Sequence, residues 1–169
     1  MAKNWRISSI SGALLAVYFI PVWTMTAFSI MISPIHALYE RPNISFALFA
    51  SDHLELAGMA TVRFAWLLAL GRIIVVAFFA LFLLFITRAS VRKSGGCNEA
   101  LAMALEIGIV LSFAGVLMAS LAGETAALRT HAAELLMMLG TAIVMLVEPP
   151  VQRPVEASAA PGGLSLQQT

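Results

Sequence analysis

A single arginine interrupts the most apolar stretch of the sequence. Arg72 lies in LLALGRIIVVAFFALFLLF, residues 67–85, where every other side chain is apolar or glycine. A charged side chain at the centre of a membrane helix costs about 2.5–3.5 kcal/mol on insertion scales, so it usually faces a partner or a watery cavity. Arg72 is therefore the first residue that needs a chemical explanation.

Glu106 is the candidate partner for Arg72, and Glu134 is a further candidate for a buried charge or an ion pathway. Glu106 lies in ALAMALEIGIV and Glu134 in RTHAAELLMM. At 1.5 Å per residue along antiparallel helices, Arg72 and Glu106 reach similar depths, so we expect these two side chains to meet near the middle of a membrane. The pair would be structural, or Arg72, Glu106 and Glu134 would form a gate or relay for protons or a small ion.

Histidines and methionines suggest a second kind of chemistry. One helical face of the last apolar segment carries His131, Glu134, Met138, Thr141 and Met145. His131 also falls on the same predicted membrane side as His36 and His53, and imidazole and thioether groups can ligate haem or copper. No HxH, HxxxH or CxxCH spacing supports such a site. We therefore expect no cofactor, and haem or copper is the alternative.

Small residues mark a packing face in the third apolar segment. They are Ala104, Gly108, Ser112, Gly115 and Ala119. This spacing stacks them in one narrow stripe, which predicts close contact with another helix. Glu106 projects from nearly the opposite side of the same segment, where it would snorkel toward the headgroups or face another chain.

The composition is that of an integral membrane protein. Hydrophobic residues make up 60% of the 169 residues and charged residues 11%, whereas soluble domains are about 25% charged. Four segments approach the roughly 20 apolar residues that a bilayer requires, at about 10–32, 64–87, 100–122 and 130–147. We predict an all-α fold, with an antiparallel four-helix transmembrane domain over 1–148 and a flexible Pro/Gly/Ser-rich tail over 149–169.

The connections and the basic residues predict the topology. Pro34, Pro42 and Asn43 break regular structure after the first segment, and ISFALFASDHLELAGM predicts a short amphipathic piece at the interface. Basic residues flank the two predicted sides unequally: Lys3, Arg6, Arg88, Arg92, Lys93 and Arg153 against Arg41, Arg63 and Arg129. Because positively charged loops stay cytoplasmic, both termini are predicted to be cytoplasmic.

The remaining motifs exclude several function classes. A net charge of +1 offers no basic surface for nucleic acid, and the single cysteine, Cys97, cannot form an internal disulfide. The sequence contains no GxGxxG, GxxxxGK[ST], GxSxG or HExxH motif, so we expect no enzyme.

The function predicted from these features is that of an accessory or assembly subunit in a larger complex of the bacterial inner membrane. Its partners would be lipid and other membrane subunits or copies of itself. One alternative is a small ion or proton pathway formed by an oligomer. A second alternative is a haem- or copper-binding subunit for electron transfer.

The predicted topology can be tested with a reporter fused after Thr169. Basic residues flank the start of the first segment and the end of the second, and such residues keep these ends in the cytoplasm. We therefore expect the reporter to be active only in the cytoplasm. A reporter that is active on the outer side would contradict the assignment of four spans with cytoplasmic ends.

Overall fold

The computed structural model describes residues 6–88, 91 and 96–148. This part of the chain is helical apart from short connections, and no strand occurs in it. In chain order the helices are α1 (Ile7–Ile32), α2 (Pro34–Leu38), α3 (Ile44–His53), α4 (Gly58–Thr87), α5 (Gly96–Leu121) and α6 (Thr125–Val147). The tail predicted over 149–169 lies outside the described residues, as do Lys3, Arg92 and Lys93.

Four of these helices, α1, α4, α5 and α6, are long and apolar enough to cross a membrane. The shortest, α6, has 23 residues and a length of about 35 Å, against a hydrocarbon core of about 30 Å. The predicted all-helical fold class with four such helices is confirmed. Each helix begins several residues before its predicted start, because backbone hydrogen bonding continues into the polar residues beyond the apolar stretch.

The long helices pack in a closed circuit. α1 packs against α4, α4 against α5, α5 against α6, and α6 returns to α1. Aromatic rings fill part of the interior: Phe19 of α1 stacks on Phe79 of α4 with 5.7 Å between ring centroids. The outward side chains of these helices, such as Leu14, Leu67, Val110 and Leu136, are exposed and apolar, as contact with lipid requires.

The short helices lie at one end of the molecule. α2 contacts α1 and α4, and α3 contacts α5. This end, where α1 finishes and where α4 and α6 begin, is named the α2–α3 end. The predicted amphipathic piece is thus α3 with Phe46, Ala47 and Ala50 buried, and α4 starts directly after it.

A carboxylate joins the first and last helices at the opposite end. Glu148, just beyond α6, accepts hydrogen bonds from the hydroxyl of Ser8, from the backbone N–H of Ser8 at 3.0 Å, and from Nε of Arg6 at 2.9 Å. The carboxylate thereby satisfies an N–H in the first turn of α1, where the helix dipole also favours negative charge. Desolvation raises the pKa of the Glu148 carboxyl, but the hydrogen bonds from Ser8, Arg6 and Ile7 outweigh it and hold the pKa below its ordinary value.

This contact predicts a dependence on acid. A group whose pKa is lowered in the folded state contributes stability above its unfolded pKa, and the contribution is lost as pH falls through the folded pKa. We expect exchange of the Ser8 amide hydrogen to accelerate at acid pH relative to its intrinsic rate. Glu148→Gln, which keeps an acceptor but cannot ionise, should abolish this acid transition, and an unchanged transition in that variant would show that Glu148 is not its source.

Candidate functional site

A group of buried polar side chains lies among the long helices toward the α2–α3 end. We name this group the polar cluster; its members are Trp23 of α1, Arg72 of α4, Ser112 of α5, and His131 and Glu134 of α6. Counted along their helices, Trp23, Ser112 and Glu134 each lie about 14 Å from the α2–α3 end, because each residue adds about 1.5 Å. The same count gives about 9 Å for His131 and about 21 Å for Arg72.

Glu134 is the acceptor at the centre of the polar cluster. Its side chain is buried, and Nε1 of Trp23 donates a hydrogen bond to Oε1 at 3.0 Å. Its other oxygen, Oε2, lies 3.2 Å from Nδ1 of His131, one turn earlier on α6. Both carboxylate oxygens are therefore engaged away from water.

His131 connects the carboxylate to the segment between α2 and α3. The ring is buried, and its second nitrogen, Nε2, lies 3.0 Å from the carbonyl oxygen of Pro42. The edge of the ring also contacts Phe46 of α3, at 6.1 Å between centroids. Both ring nitrogens thus face acceptors, whereas a neutral imidazole carries only one N–H.

Arg72 brings a permanent charge to the polar cluster. It is 7% exposed, and its Cζ lies 5.9 Å from the ring centroid of Trp23, which is within cation–π range. The charge of Glu134 also acts on it electrostatically. Its Nη1 atom is buried without a hydrogen-bond partner among the described residues, and so is Oγ of Ser112.

A small cavity lies beside these two atoms. Its lining combines Arg72, Ser112, His131 and Glu134 with apolar side chains such as Leu68 and Leu111, and the volume open to the centre of a water-sized sphere is about 10 Å³. A cavity of this size holds at most about one water molecule. Water is therefore the ligand that fits the unpartnered Nη1 and Oγ atoms.

The structure does not bring Arg72 and Glu106 together, which corrects the predicted pair. Glu106 is exposed on the outer surface of α5, and no ion pair joins it to Arg72 among the described residues. Depth was not the error, since Glu106 lies about 23 Å from the α2–α3 end. The error was direction, because Glu106 projects from the outer face of α5, two residues from the buried Gly108.

The small-residue stripe of α5 lies in the interior. All five of its members are buried: Ala104, Gly108, Ser112, Gly115 and Ala119. A methyl group at Gly108 would lie 2.6 Å from Sδ of Met138, and one at Gly115 would lie 2.7 Å from Cγ of His131. The two glycines therefore allow α6 to approach α5 closely.

The three histidines do not form one metal site. His36 is exposed on α2, while His53 is exposed on α3 and stacks on Phe49 at 4.8 Å between centroids. His131 is buried with both nitrogens engaged. In the described ranges no group of three or more His, Cys, Asp or Glu side chains is placed to hold a metal ion.

Two contacts of the polar cluster were missed in the sequence. The indole N–H of Trp23 is a donor inside an apolar helix, and that alone is a signal that an acceptor must lie nearby. The Pro42 carbonyl is a backbone atom and carries no signal in the side-chain pattern. Residues 34–53, which contain α2, α3 and the residues between them, are named the α2–α3 segment. The Pro42 carbonyl reaches His131 only because this segment folds over that end of the helices.

Comparison with known proteins identifies no family: no family model, curated protein or solved structure matches the chain. Any function assigned to it therefore has to be supported by contacts, burial and charge.

The glycine contacts predict a graded response to alanine. Gly115→Ala should destabilise the protein by about 1–3 kcal/mol, because the His131 ring is fixed by two partners and cannot give way. Gly108→Ala should cost less, because the end of the flexible Met138 side chain can move. Gly140, which has nothing within 4 Å, is the matched control, and its alanine variant should be neutral or slightly stabilising. Equal melting temperatures in detergent for Gly115→Ala and Gly140→Ala would contradict this packing.

Proposed function

We propose that the protein is an accessory subunit that packs against and stabilises a second membrane protein through the outer face of α5. This face consists of exposed side chains at helical spacing: Met103, Glu106, Val110, Phe113 and Leu117. The observation that carries the proposal is Glu106, a carboxylate on an otherwise apolar outer surface.

The depth of Glu106 makes this exposure costly in an isolated chain. Glu106 lies about 15 Å from the start of α5 and about 23 Å from its end, so it is near the middle of the helix. Snorkelling relieves long basic side chains near helix ends. The edge of the hydrocarbon core is about 15 Å from its midplane, so a glutamate side chain near the middle of a helix does not reach the headgroups. A partner at the same depth therefore accounts for Glu106 better than contact with headgroups.

The charge of Glu106 indicates the chemistry of that partner. A carboxylate in hydrocarbon is stabilised by a basic or hydrogen-bond-donating side chain, so the partner is a membrane helix that carries such a group. Among the described residues, the exposed arginines lie at or near helix ends: Arg41, Arg63, Arg88 and Arg129. The described residues of a second copy would thus offer no exposed arginine at the depth of Glu106, and two symmetric α5 faces would place like charges together. The partner is a different chain.

The proposed setting is the bacterial inner membrane, with an antiparallel four-helix bundle and both termini in the cytoplasm. The circuit of contacts between consecutive long helices supports the bundle. The contact of Glu148 with Arg6 and Ser8 joins the first and last helices at one end, which is compatible with an even number of crossings. The two-to-one bias of basic residues supports the cytoplasmic assignment.

Substitution of Glu106 tests the proposal. Glu106→Gln keeps the shape of the side chain but removes its charge, and we expect it to reduce retention of the partner in mild detergent by roughly 30-fold, since breaking a buried charge pair costs at least about 2 kcal/mol. Glu99→Gln is the matched control, because Glu99 is an exposed carboxylate in the first turn of the same helix. Equal retention in the two variants would contradict a role for Glu106.

A photo-crosslinking residue at Phe113 identifies the occupant of the face in native membranes. We expect the crosslinked chain to be a different membrane protein with a basic residue in an apolar helix. Replacement of that residue with Glu should restore binding to the Glu106→Arg variant. A crosslink only to a second copy of this chain, or failure of the charge exchange, would overturn it.

A further inference from the structure

We propose that the polar cluster is a proton-binding site, loaded from the α2–α3 end, and that the bound proton fastens the α2–α3 segment to α6. This inference goes beyond the proposed docking function, because none of its residues lies on the outer face of α5. Its ligands are one proton and the water molecule that fits the small cavity.

The proton count follows from the acceptors around His131. Nδ1 faces the Glu134 carboxylate at 3.2 Å and Nε2 faces the Pro42 carbonyl at 3.0 Å. A carbonyl oxygen can only accept, so Nε2 must carry a hydrogen for that bond. The bond to Glu134 then needs a second hydrogen, on Nδ1 or on the carboxyl group. Both contacts together require one proton more than a neutral imidazole and a carboxylate supply.

The surrounding charges decide where this proton resides. Arg72 of α4 acts electrostatically on Glu134, and the indole N–H of Trp23 bonds to the same carboxylate. With a cation and a donor beside the carboxylate, we place the second hydrogen on Nδ1 of His131, which then donates to Oε2 of Glu134. Tyr18 of α1 is the other titratable group that Glu134 influences. The neighbours from α5 and α3, Ser112 and Phe46, carry no charge.

Loss of the proton removes one of the two contacts. A neutral His131 retains a single N–H, and the carboxylate attracts it more strongly than a neutral carbonyl does. The bond to Pro42 is then lost while the bond to Glu134 remains. Pro42 immediately precedes the N-cap of α3, so the bond that is lost is a hydrogen bond between the α2–α3 segment and α6, and the ring contact of Phe46 with His131 remains there. The fastened form therefore prevails at low pH and is released as pH rises.

The geometry also supplies a route for the proton. Pro42 is only partly buried, and His131 lies about 9 Å along α6 from the α2–α3 end. Deeper in the protein, a water molecule in the cavity would give the unpartnered Nη1 of Arg72 and Oγ of Ser112 a common partner. The proton moves from water at the α2–α3 end to the imidazole, and no other reactant is required.

The test follows the wild-type protein in lipid nanodiscs through the pH range in which imidazoles titrate. Nitrogen-15 spectra of histidine report whether both nitrogens of His131 carry hydrogen, and hydrogen exchange reports protection of residues 41–54. We expect one transition in which His131 loses a hydrogen and exchange in this segment rises about tenfold above its intrinsic pH dependence, as loss of one charge-assisted hydrogen bond predicts.

Four variants assign this transition. His131→Gln should abolish it, and so should Glu134→Gln, because the amide of glutamine can donate to Nδ1 and both contacts of His131 then need no additional proton. His53→Gln, which removes an exposed histidine from α3 itself, should leave it unchanged. Glu106→Gln should also leave it unchanged, which separates this site from the proposed docking face.

Several results would overturn the proton-binding site. The first is that His131 carries a single N–H throughout the pH range. The second is that the transition persists in His131→Gln, and the third is that it disappears in His53→Gln. If His131→Gln or Glu134→Gln fails to fold, the wild-type histidine spectrum still decides, because it counts the hydrogens on His131 directly.

Discussion

A carboxylate buried among apolar helices needs partners supplied by the protein, because hydrocarbon offers none, and Glu134 meets this constraint. Its partners come from several directions: Trp23 from α1, the charge of Arg72 from α4, and His131 from its own helix. Through His131 the connection continues to Pro42. One carboxylate therefore links three of the long helices and the segment that covers their end, and without it the indole N–H would lose its acceptor and Arg72 a nearby opposite charge.

Close packing of α5 against α6 is the condition for this arrangement. Individual hydrogen bonds between membrane helices contribute only about 0.6–1.7 kcal/mol, so steric fit between backbones must contribute as well. Gly115 combines the two requirements, because its missing side chain leaves the space that the His131 ring occupies. The small-residue stripe and the polar cluster are thus parts of one interface, in which the stripe admits the ring and the ring carries the hydrogen bonds.

The sequence predicts properties that depend on position along one helix better than those that depend on neighbours. Hydropathy located the four long helices, and residue counting placed Arg72 and Glu106 at similar depths. Their pairing failed because contact also depends on the direction in which each side chain leaves its helix, and Glu106 is two residues from the buried Gly108. Pro42 could not be found at all, since its carbonyl meets His131 only through the fold of the α2–α3 segment.

Glu134 and Glu106 place the same chemical group in two environments, and the contrast suggests how the two proposed activities would be related. Glu134 is satisfied inside the chain, so a proton site built on it requires no other subunit. Glu106 faces outward and would be satisfied by a partner. Both environments adjoin α5, whose inner stripe contacts His131 at Gly115 and whose outer face carries Glu106. The position of α5 therefore sets both the orientation of its outer face and the space that Gly115 leaves for the His131 ring.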